Sequence, residues 1–402
     1  MAKKVTKKQK EQIKKAAKKH PVLITVIIIL VIAIAGCCFL HWQGIIHIPF
    51  LDNIIPQKQE REDVDAAAGE FDEATIAEIS SSSVSVHFLE VGNKYTGDCT
   101  LIKVGNTEVL IDAGSRKGSA EAIVSYVNQF CTDGVLEYVI ATHAHQDHIA
   151  GFVGTAKAPG VLESFVCQTI IDYSLSNSDA QIRFDYEDLR DAEVALGATH
   201  YTAKDCIKGT NGGKSTFTLG TGVTMTILDQ EFYYTETSDE NDYSVCVLLT
   251  ETYEGGVNNY LFTGDLEKDG EESLVEKNNL PKCKLFKAGH HGSPTSTSNT
   301  LLAEIEPEIV TVCCCCGSDE YTDNVANQFP SQAFVDRVAS YTSQVYVTSI
   351  VADNEDGFTS MNGNIVVMSK NGVLSVSCSN NVTVFKDTDW FKKNRTTPSA
   401  WS

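Results

Sequence analysis

The chain has 402 residues, of which 42 % are hydrophobic and 21 % charged, with a formal net charge of −21. This balance excludes a disordered or low-complexity chain and leaves room for a sizeable core, and single α/β domains of about 300 residues are ordinary. The charge is uneven: nine lysines and one glutamate in residues 1–20 give a local +8, leaving −29 on the remainder, a balance that disfavours polyanionic partners.

The stretch PVLITVIIILVIAIAGCCFL, residues 21–40, carries no charge over 20 positions. That length suits an apolar helix crossing a bilayer. The lysines before it predict a cytoplasmic amino terminus and an extracytoplasmic remainder, a single-pass arrangement in the cell membrane. IAGC, Ile34 to Cys37, is similar to a lipobox and offers an alternative, cleavage that leaves a lipidated Cys37. The basic leader and the apolar Phe39 and Leu40 favour the uncleaved anchor. The expected layout is a basic leader over 1–20, a transmembrane anchor over 21–42 and a juxtamembrane segment and linker over 43–83. A folded domain over 84–386 and a tail over 387–402 follow. Within the linker, 57–83 is acidic, rich in alanine and ends in SSSS, the composition of a spacer.

From Val84 the pattern changes. VSVHFLEVG alternates in strand fashion, followed by strand-like CTLIKVG, TEVLIDAG and LEYVIAT, with a helix-like SAEAIVSYVNQF before the last. After a longer irregular region come VTMTILD, YSVCVLLTE, NYLFTGD, a helical GEESLVEKN and CKLFKAGHHGS. A helix near 299–305, the strand EIVTVCCCC, a helix over SQAFVDRVASY, and the strands SQVYVTSI and NIVVMSK complete the chain. Two successive sets of strands with intervening helices predict an α/β fold in which two sheets pack face to face with helices outside. Of the 13 cysteines, Cys37 and Cys38 fall in the apolar segment and Cys313 to Cys316 in a strand, where neighbours point to opposite faces. Most are expected to be small buried apolar residues, not disulfide partners, as would suit an anaerobic habitat.

The chemistry concentrates in ATHAHQDHIAG, residues 141–151, just after an apolar strand. His143 and His145 can converge on one ion, and Asp147 and His148 can reach a second beside it. Imidazole and carboxylate suit zinc, manganese or iron. NYLFTGDLE brings Asp265 to another strand terminus, and LFKAGHHGS brings His290 and His291 to a third. Incidental surface histidines do not account for three such termini, which together supply a ligand set for two divalent ions, zinc or manganese.

These stretches, with FLEVG, GDCTLI, VLIDAGS and NDYSVCVLL, resemble the metallo-β-lactamase-fold family, in particular the β-lactamase-like domain of the competence protein ComEC and its stand-alone relatives. The resemblance spans about residues 84–370. It implies an αββα sandwich, here preceded by one N-terminal transmembrane helix, with the metals at one edge of the paired sheets. It implies His143 and His145 on one ion, Asp147 and His148 on the other, and Asp265 bridging. Asp112 would brace the loop from behind. His291, followed by Gly and Ser, is the implied last ligand, leaving His290 as a supporting group or proton donor. Asp98, Asn241 and Ser244 match positions near the site. The family's middle histidine ligand has no good match, since His200 in GATHYTAKD reads as an ordinary strand residue. Phe329 stands where that branch carries a histidine.

The pair of ions predicts hydrolysis of a phosphodiester or other ester by metal-activated hydroxide, with Asp147 orienting the water and His290 protonating the leaving group. The resemblance implies nucleic acid and a place in DNA uptake. The acidic balance argues against it, and Lys284 and Lys287 in CKLFKAG read as a solvated face. A surface esterase acting on small or phosphocholine-type esters is the alternative, and a non-catalytic metal-binding module is a third reading.

Overall fold

The structure is a computed structural model that describes residues 70–352 and 357–402. The expected leader, anchor and lipobox lie outside the described residues. Among the described residues no helix is long and apolar enough to cross a membrane.

In chain order the strands are β1 (Val84–Phe88), β2 (Thr100–Val104), β3 (Thr107–Ile111), β4 (Val135–Ala141), β5 (Val166–Asp172), β6 (Thr199–Thr202), β7 (Thr216–Gly220) and β8 (Val223–Ile227). The second half holds β9 (Val247–Tyr253), β10 (Gly256–Phe262), β11 (Leu285–Lys287), β12 (Ile309–Cys316), β13 (Val345–Val351), β14 (Phe358–Ser360), β15 (Ile365–Lys370) and β16 (Val373–Cys378). They form two eight-stranded sheets, ordered β16-β15-β1-β2-β3-β4-β5-β6 and β14-β13-β12-β11-β10-β9-β8-β7. Each sheet has an antiparallel arm and a parallel arm. In the first, β3 through β6 run parallel; in the second, β10 through β13 do.

Side-chain alternation builds the layers. In β3, Val109 and Ile111 face the core between the sheets, together with Phe88, Ile140, Phe217, Met225, Val247 and Phe262. Leu110, between them, faces the other way, onto helix residues such as Ile123, Val127, Ile149 and Phe152. The second sheet packs its own outer face against Leu301, Leu302, Phe334 and Val335. The result is helix, sheet, sheet, helix. The four-cysteine run follows the same alternation: Cys313 faces the inter-sheet core, and Cys314 and Cys316 face the outer one. All four thiols are buried and free.

Three segments differ from the sequence reading. The spacer contributes a helix at Glu73–Ser80, started by the Asp72 carboxylate accepting from the Thr75 amide at 2.7 Å, and it buries Ile79. The region read as irregular holds β5, the helix Gln181–Leu196 and β6. Only Ile182 and Tyr186 of that helix are buried, so it leaves little apolar periodicity to read. The tail after 386 folds onto the second sheet: Phe391 in the helix Asp389–Asn394 is fully buried, and Trp401 packs beside it with ring centres 5.7 Å apart.

Replacing Phe391 with alanine is therefore expected to lower the unfolding free energy by about 3 kcal/mol or more, as for other buried aromatics. Urea unfolding measures it. A change below about 0.5 kcal/mol, the range of surface substitutions, would show that the carboxyl-terminal segment is not part of the folded unit.

Candidate metal centre

The site forms where four chain segments leave their strands on one edge. After β3 the chain turns sharply at Asp112, whose φ is 58°. Its carboxylate accepts from the Thr142 amide at 2.7 Å and the Thr142 hydroxyl at 2.7 Å. These bonds fix the start of the histidine loop. His145 is the extended residue that opens the helix Gln146–Val153, so Asp147 and His148 occupy its first turn. The Asp112 loop and this helix lie backbone to backbone: Gly151 N–H donates to the Ala113 carbonyl, and Ala113 N–H to that of His148. Gly114 is required by this contact, because a Cβ there would fall 1.4 Å from the Asp147 carbonyl oxygen.

Asp265 arrives from β10 through Gly264, at φ 54°, where a Cβ would press on Ser244 and Thr142. The Ser244 hydroxyl accepts from the Asp265 amide at 3.0 Å. After β11, His290 and His291 both adopt left-handed backbone angles, φ 45° and 53°, a conformation costly for residues with a Cβ. This double turn points His291 inward. Its Nδ1 donates to the Cys313 carbonyl at 2.8 Å, leaving Nε2 to face the site.

Asp98, His148, Asp265 and His291, all buried, place one potential ligand atom each within 4.8 Å of one another. His148 Nε2 and His291 Nε2 each approach Asp265 Oδ2 to 3.1 Å. Neither ring nitrogen makes a hydrogen bond in that position, nor does Asp265 Oδ1. Buried polar atoms that converge without bonding to one another are what a divalent cation would satisfy, and the nitrogen and oxygen donor set fits one. Asp112 Oδ2, 2.8 Å from His148 Nδ1, holds that ring with Nε2 toward the cluster.

The other expected residues surround this cluster. His143 Nε2 lies 3.0 Å from His145 Nδ1, and the His143 ring centre is 4.1 Å from that of His148. Asn241 Oδ1 reaches His145 Nδ1 at 2.9 Å, and the Ser244 hydroxyl lies 3.4 Å from His143 Nδ1. Asp147 Oδ2 is 3.4 Å from His291 Nε2. His290 stays outside, 3.1 Å from Glu267 Oε1 and 3.8 Å from Asp265 Oδ2. His200, on β6, pairs with Asp172.

Three positions differ from the sequence reading. Asp98, expected to support, is one of the four convergent groups. Lys287, read as solvent-facing, is buried and ion-paired with Asp98, whereas Lys284 is half-buried and pairs with Glu308. Tyr321, not singled out, donates its hydroxyl to Asp147 Oδ2 at 2.7 Å and lies beside Phe329, which borders His290 and His291. The alternation of β11 is the signal that could have found Lys287, since Leu285 faces the inter-sheet core and Lys287 shares its face.

The electrostatics follow from burial. Desolvation alone would lower the His148 pKa, but Asp265 and Asp112 raise it well above 6.5. His291 behaves likewise, with Asp265 and Asp98 overriding desolvation. His143 goes the other way: desolvation and the neighbouring His148 and His145 push it well below 6.5. Without metal, the stabilisation from the two raised histidines is fully present below pH 6.5 and is lost as the pH rises through their folded-state values. Metal ligation needs neutral imidazole. Binding of a divalent cation at pH 7 should thus release about one to two protons per chain, read from calorimetric titrations in buffers of different ionisation enthalpy. A binding enthalpy independent of buffer would contradict the charged state assigned to His148 and His291.

The family model for the metallo-beta-lactamase superfamily matches residues 92–166, the segment that contains Asp98, Asp112, His143, His145, Asp147 and His148. The chain is 26 % identical over 275 residues to Recombination protein 2 of Haemophilus influenzae, an alignment covering 68 % of this chain and 29 % of that protein. It is 38 % identical over 65 residues to ComE operon protein 3 of Bacillus subtilis, covering 16 % of this chain and 8 % of that protein. The chain thus spans less than a third of the length of either relative. Among solved structures, the metallo-beta-lactamase fold protein YhfI from Bacillus subtilis aligns with a TM-score of 0.36 and 13 % identity, over 66 % of this chain and 96 % of that one. The metallo-beta-lactamase SMB-1 aligns with a TM-score of 0.32 and 14 % identity, over 51 % and 76 %. The chain is thus similar to the metallo-β-lactamase superfamily over the segment that carries Asp112 and the histidine loop, and its described residues form two eight-stranded sheets.

Proposed function

We propose that this protein is a metal-dependent hydrolase of phosphodiester bonds, held at the outer side of the cell membrane by its N-terminal apolar segment. The observation that carries the chemistry is the convergence of Asp98, His148, Asp265 and His291 on one buried point, next to the His143–His145 pair. Bound there, a divalent ion such as zinc or manganese supplies Lewis-acid polarisation of the substrate and of water. The chain's own groups divide the remaining work. Asp112 holds His148 in one orientation. Asp147 faces the cluster through Oδ2 and serves to orient a water molecule and receive its proton. His290, half-buried and braced by Glu267 and Thr295, is the group that can hand a proton to a leaving oxygen. A hydrolase that attacks one side of an ester and protonates the other needs two such groups.

Phosphodiesters are favoured because an ion held by this cluster, with a second at the neighbouring His143–His145 pair, would stabilise both oxygens of an in-line displacement. The second reading, a surface esterase for small or phosphocholine-type esters, is favoured by one fact: −29 formal charges follow the lysine leader. Such a surface opposes the capture of a long polyanion.

The wild-type chain is expected to hydrolyse bis-p-nitrophenyl phosphate only with zinc or manganese present, and Asp147→Ala to reduce the rate by about 10²-fold or more. Asp265→Ala should abolish it. Parallel assays on single-stranded DNA and on a phosphocholine ester separate the two readings. Cleavage of DNA that rises steeply as salt falls would restore a nuclease with a local basic groove, whereas turnover of phosphocholine esters alone would establish the surface esterase. Loss of no activity in Asp265→Ala would end the hydrolytic assignment of this site.

For the membrane arrangement, the full-length chain should sediment with membranes and keep its lysine leader. A mature amino terminus at a lipidated Cys37, read by mass spectrometry, would replace the anchor with a lipoprotein.

A further inference from the structure

Lys287 is the feature of the site that the hydrolytic reading leaves unused. It ends β11, its backbone paired between Phe262 of β10 and Thr311 of β12. Its side chain is buried, with the ammonium on Asp98 Oδ2, 4.0 Å from Asp265 Oδ1 and 3.5 Å from the Gly264 carbonyl. Both carboxylates belong to the four-group cluster. A lysine in this position is unsuited to gripping a substrate, because solvent barely reaches it.

We propose that Lys287 is a resident cation that competes with metal for Asp98 and so sets how tightly the cluster holds its divalent ion. The inference rests on the reading of this cluster as a metal site. Four carboxylates, Asp98, Asp112, Asp147 and Asp265, are buried around it. Positive charge must accompany them into the interior. Lys287 supplies one unit of it permanently, at the edge of the space the ion would enter, and an arriving dication meets both its repulsion and its hold on Asp98. Asp98 does not depend on Lys287 for its place. Its amide donates to the Asp147 carbonyl at 3.0 Å, and its carbonyl accepts from Gly114 at 2.8 Å. With the ammonium removed, the Asp98 carboxylate keeps its place beside the His148 and His291 rings, 3.8 and 3.3 Å from their Nδ1 atoms, and loses the cation that occupies it within the four-group cluster. The expected consequence is a site that exchanges its metal, with affinity held below what its carboxylates alone would give.

The test compares the full-length chain purified in detergent with K287M and K287R, each stripped of metal and titrated with manganese against a chromophoric chelator. K287M keeps the length and loses the charge; K287R keeps the charge. K287M is expected to bind manganese at least about tenfold more tightly than wild type, and K287R to remain within about threefold of it, as Coulomb repulsion at short range predicts. Metal-free K287M is also expected to melt below wild type, since the buried Asp98 then keeps only the His148 and His291 rings to balance its charge, and to gain more in melting temperature on adding manganese. K287Q replaces K287M if the latter does not fold without metal. Manganese binding by K287M that equals or falls below wild type, with K287R unchanged, would overturn the proposal and make Lys287 a structural partner of Asp98. A wild-type chain that binds no divalent ion at all would overturn the metal reading itself and this inference with it.

Discussion

Everything at the site edge depends on keeping four carboxylates buried together. Asp98, Asp112, Asp147 and Asp265 are each at most 8 % exposed. An isolated carboxylate in such surroundings takes up a proton to escape the cost of burial. For Asp98, Asp147 and Asp265 imidazoles and an ammonium oppose that, whereas desolvation still raises Asp112: His148 sits between Asp112 and Asp265, His291 reaches Asp98, Asp147 and Asp265, and Lys287 pairs with Asp98. His148 and His291 together hold the Asp265 carboxyl well below its ordinary range despite desolvation. The same groups are the ones that would exchange protons for a metal ion. Charge balance in the interior and the capacity to bind a dication are one property of this arrangement.

The fold supplies the geometry that this balance requires. Parallel arms in both sheets bring β3, β4, β10 and β11 to one edge, so their following loops meet. Close packing of those loops then dictates local sequence: Gly114 and Gly264 sit where a Cβ would strike backbone or side-chain atoms of the neighbouring loop. The left-handed turn at His290 and His291 uses backbone conformations that cost energy, and it is held in place by the Cys313 carbonyl on one side and Glu267 on the other. A site held by rigid strand ends can keep unpaired ligand atoms facing one another; flexible loops would relax them into hydrogen bonds.

The parts legible in the sequence were those with dense, local signals. HAHQDH places four metal-type side chains within six positions, and the apolar strands before His143, Asp265 and His290 made their placement at strand ends readable. Strand and helix alternation in the second half was legible for the same reason, from strong apolar runs such as EIVTVCCCC. What was not legible depended on contacts between distant segments. Asp98 and Lys287 lie 189 positions apart and meet only because β2's preceding loop and β11 reach the same edge; a lysine in CKLFKAG looks solvated until its strand face is known. Tyr321 reaches Asp147 across 174 positions. The helix Gln181–Leu196 hid because it buries so little, and the helix Glu73–Ser80 because a composition of Ala, Glu and Ser reads as a spacer until Ile79 finds a core.

The central claim is that one divalent ion belongs between Asp98, His148, Asp265 and His291. Crystals of the protein grown with manganese and measured at a wavelength where manganese scatters anomalously test it directly. An anomalous peak is expected within coordination distance of Asp265, His148 Nε2 and His291 Nε2. Well-ordered side chains with no peak there, or manganese bound only elsewhere, would contradict it.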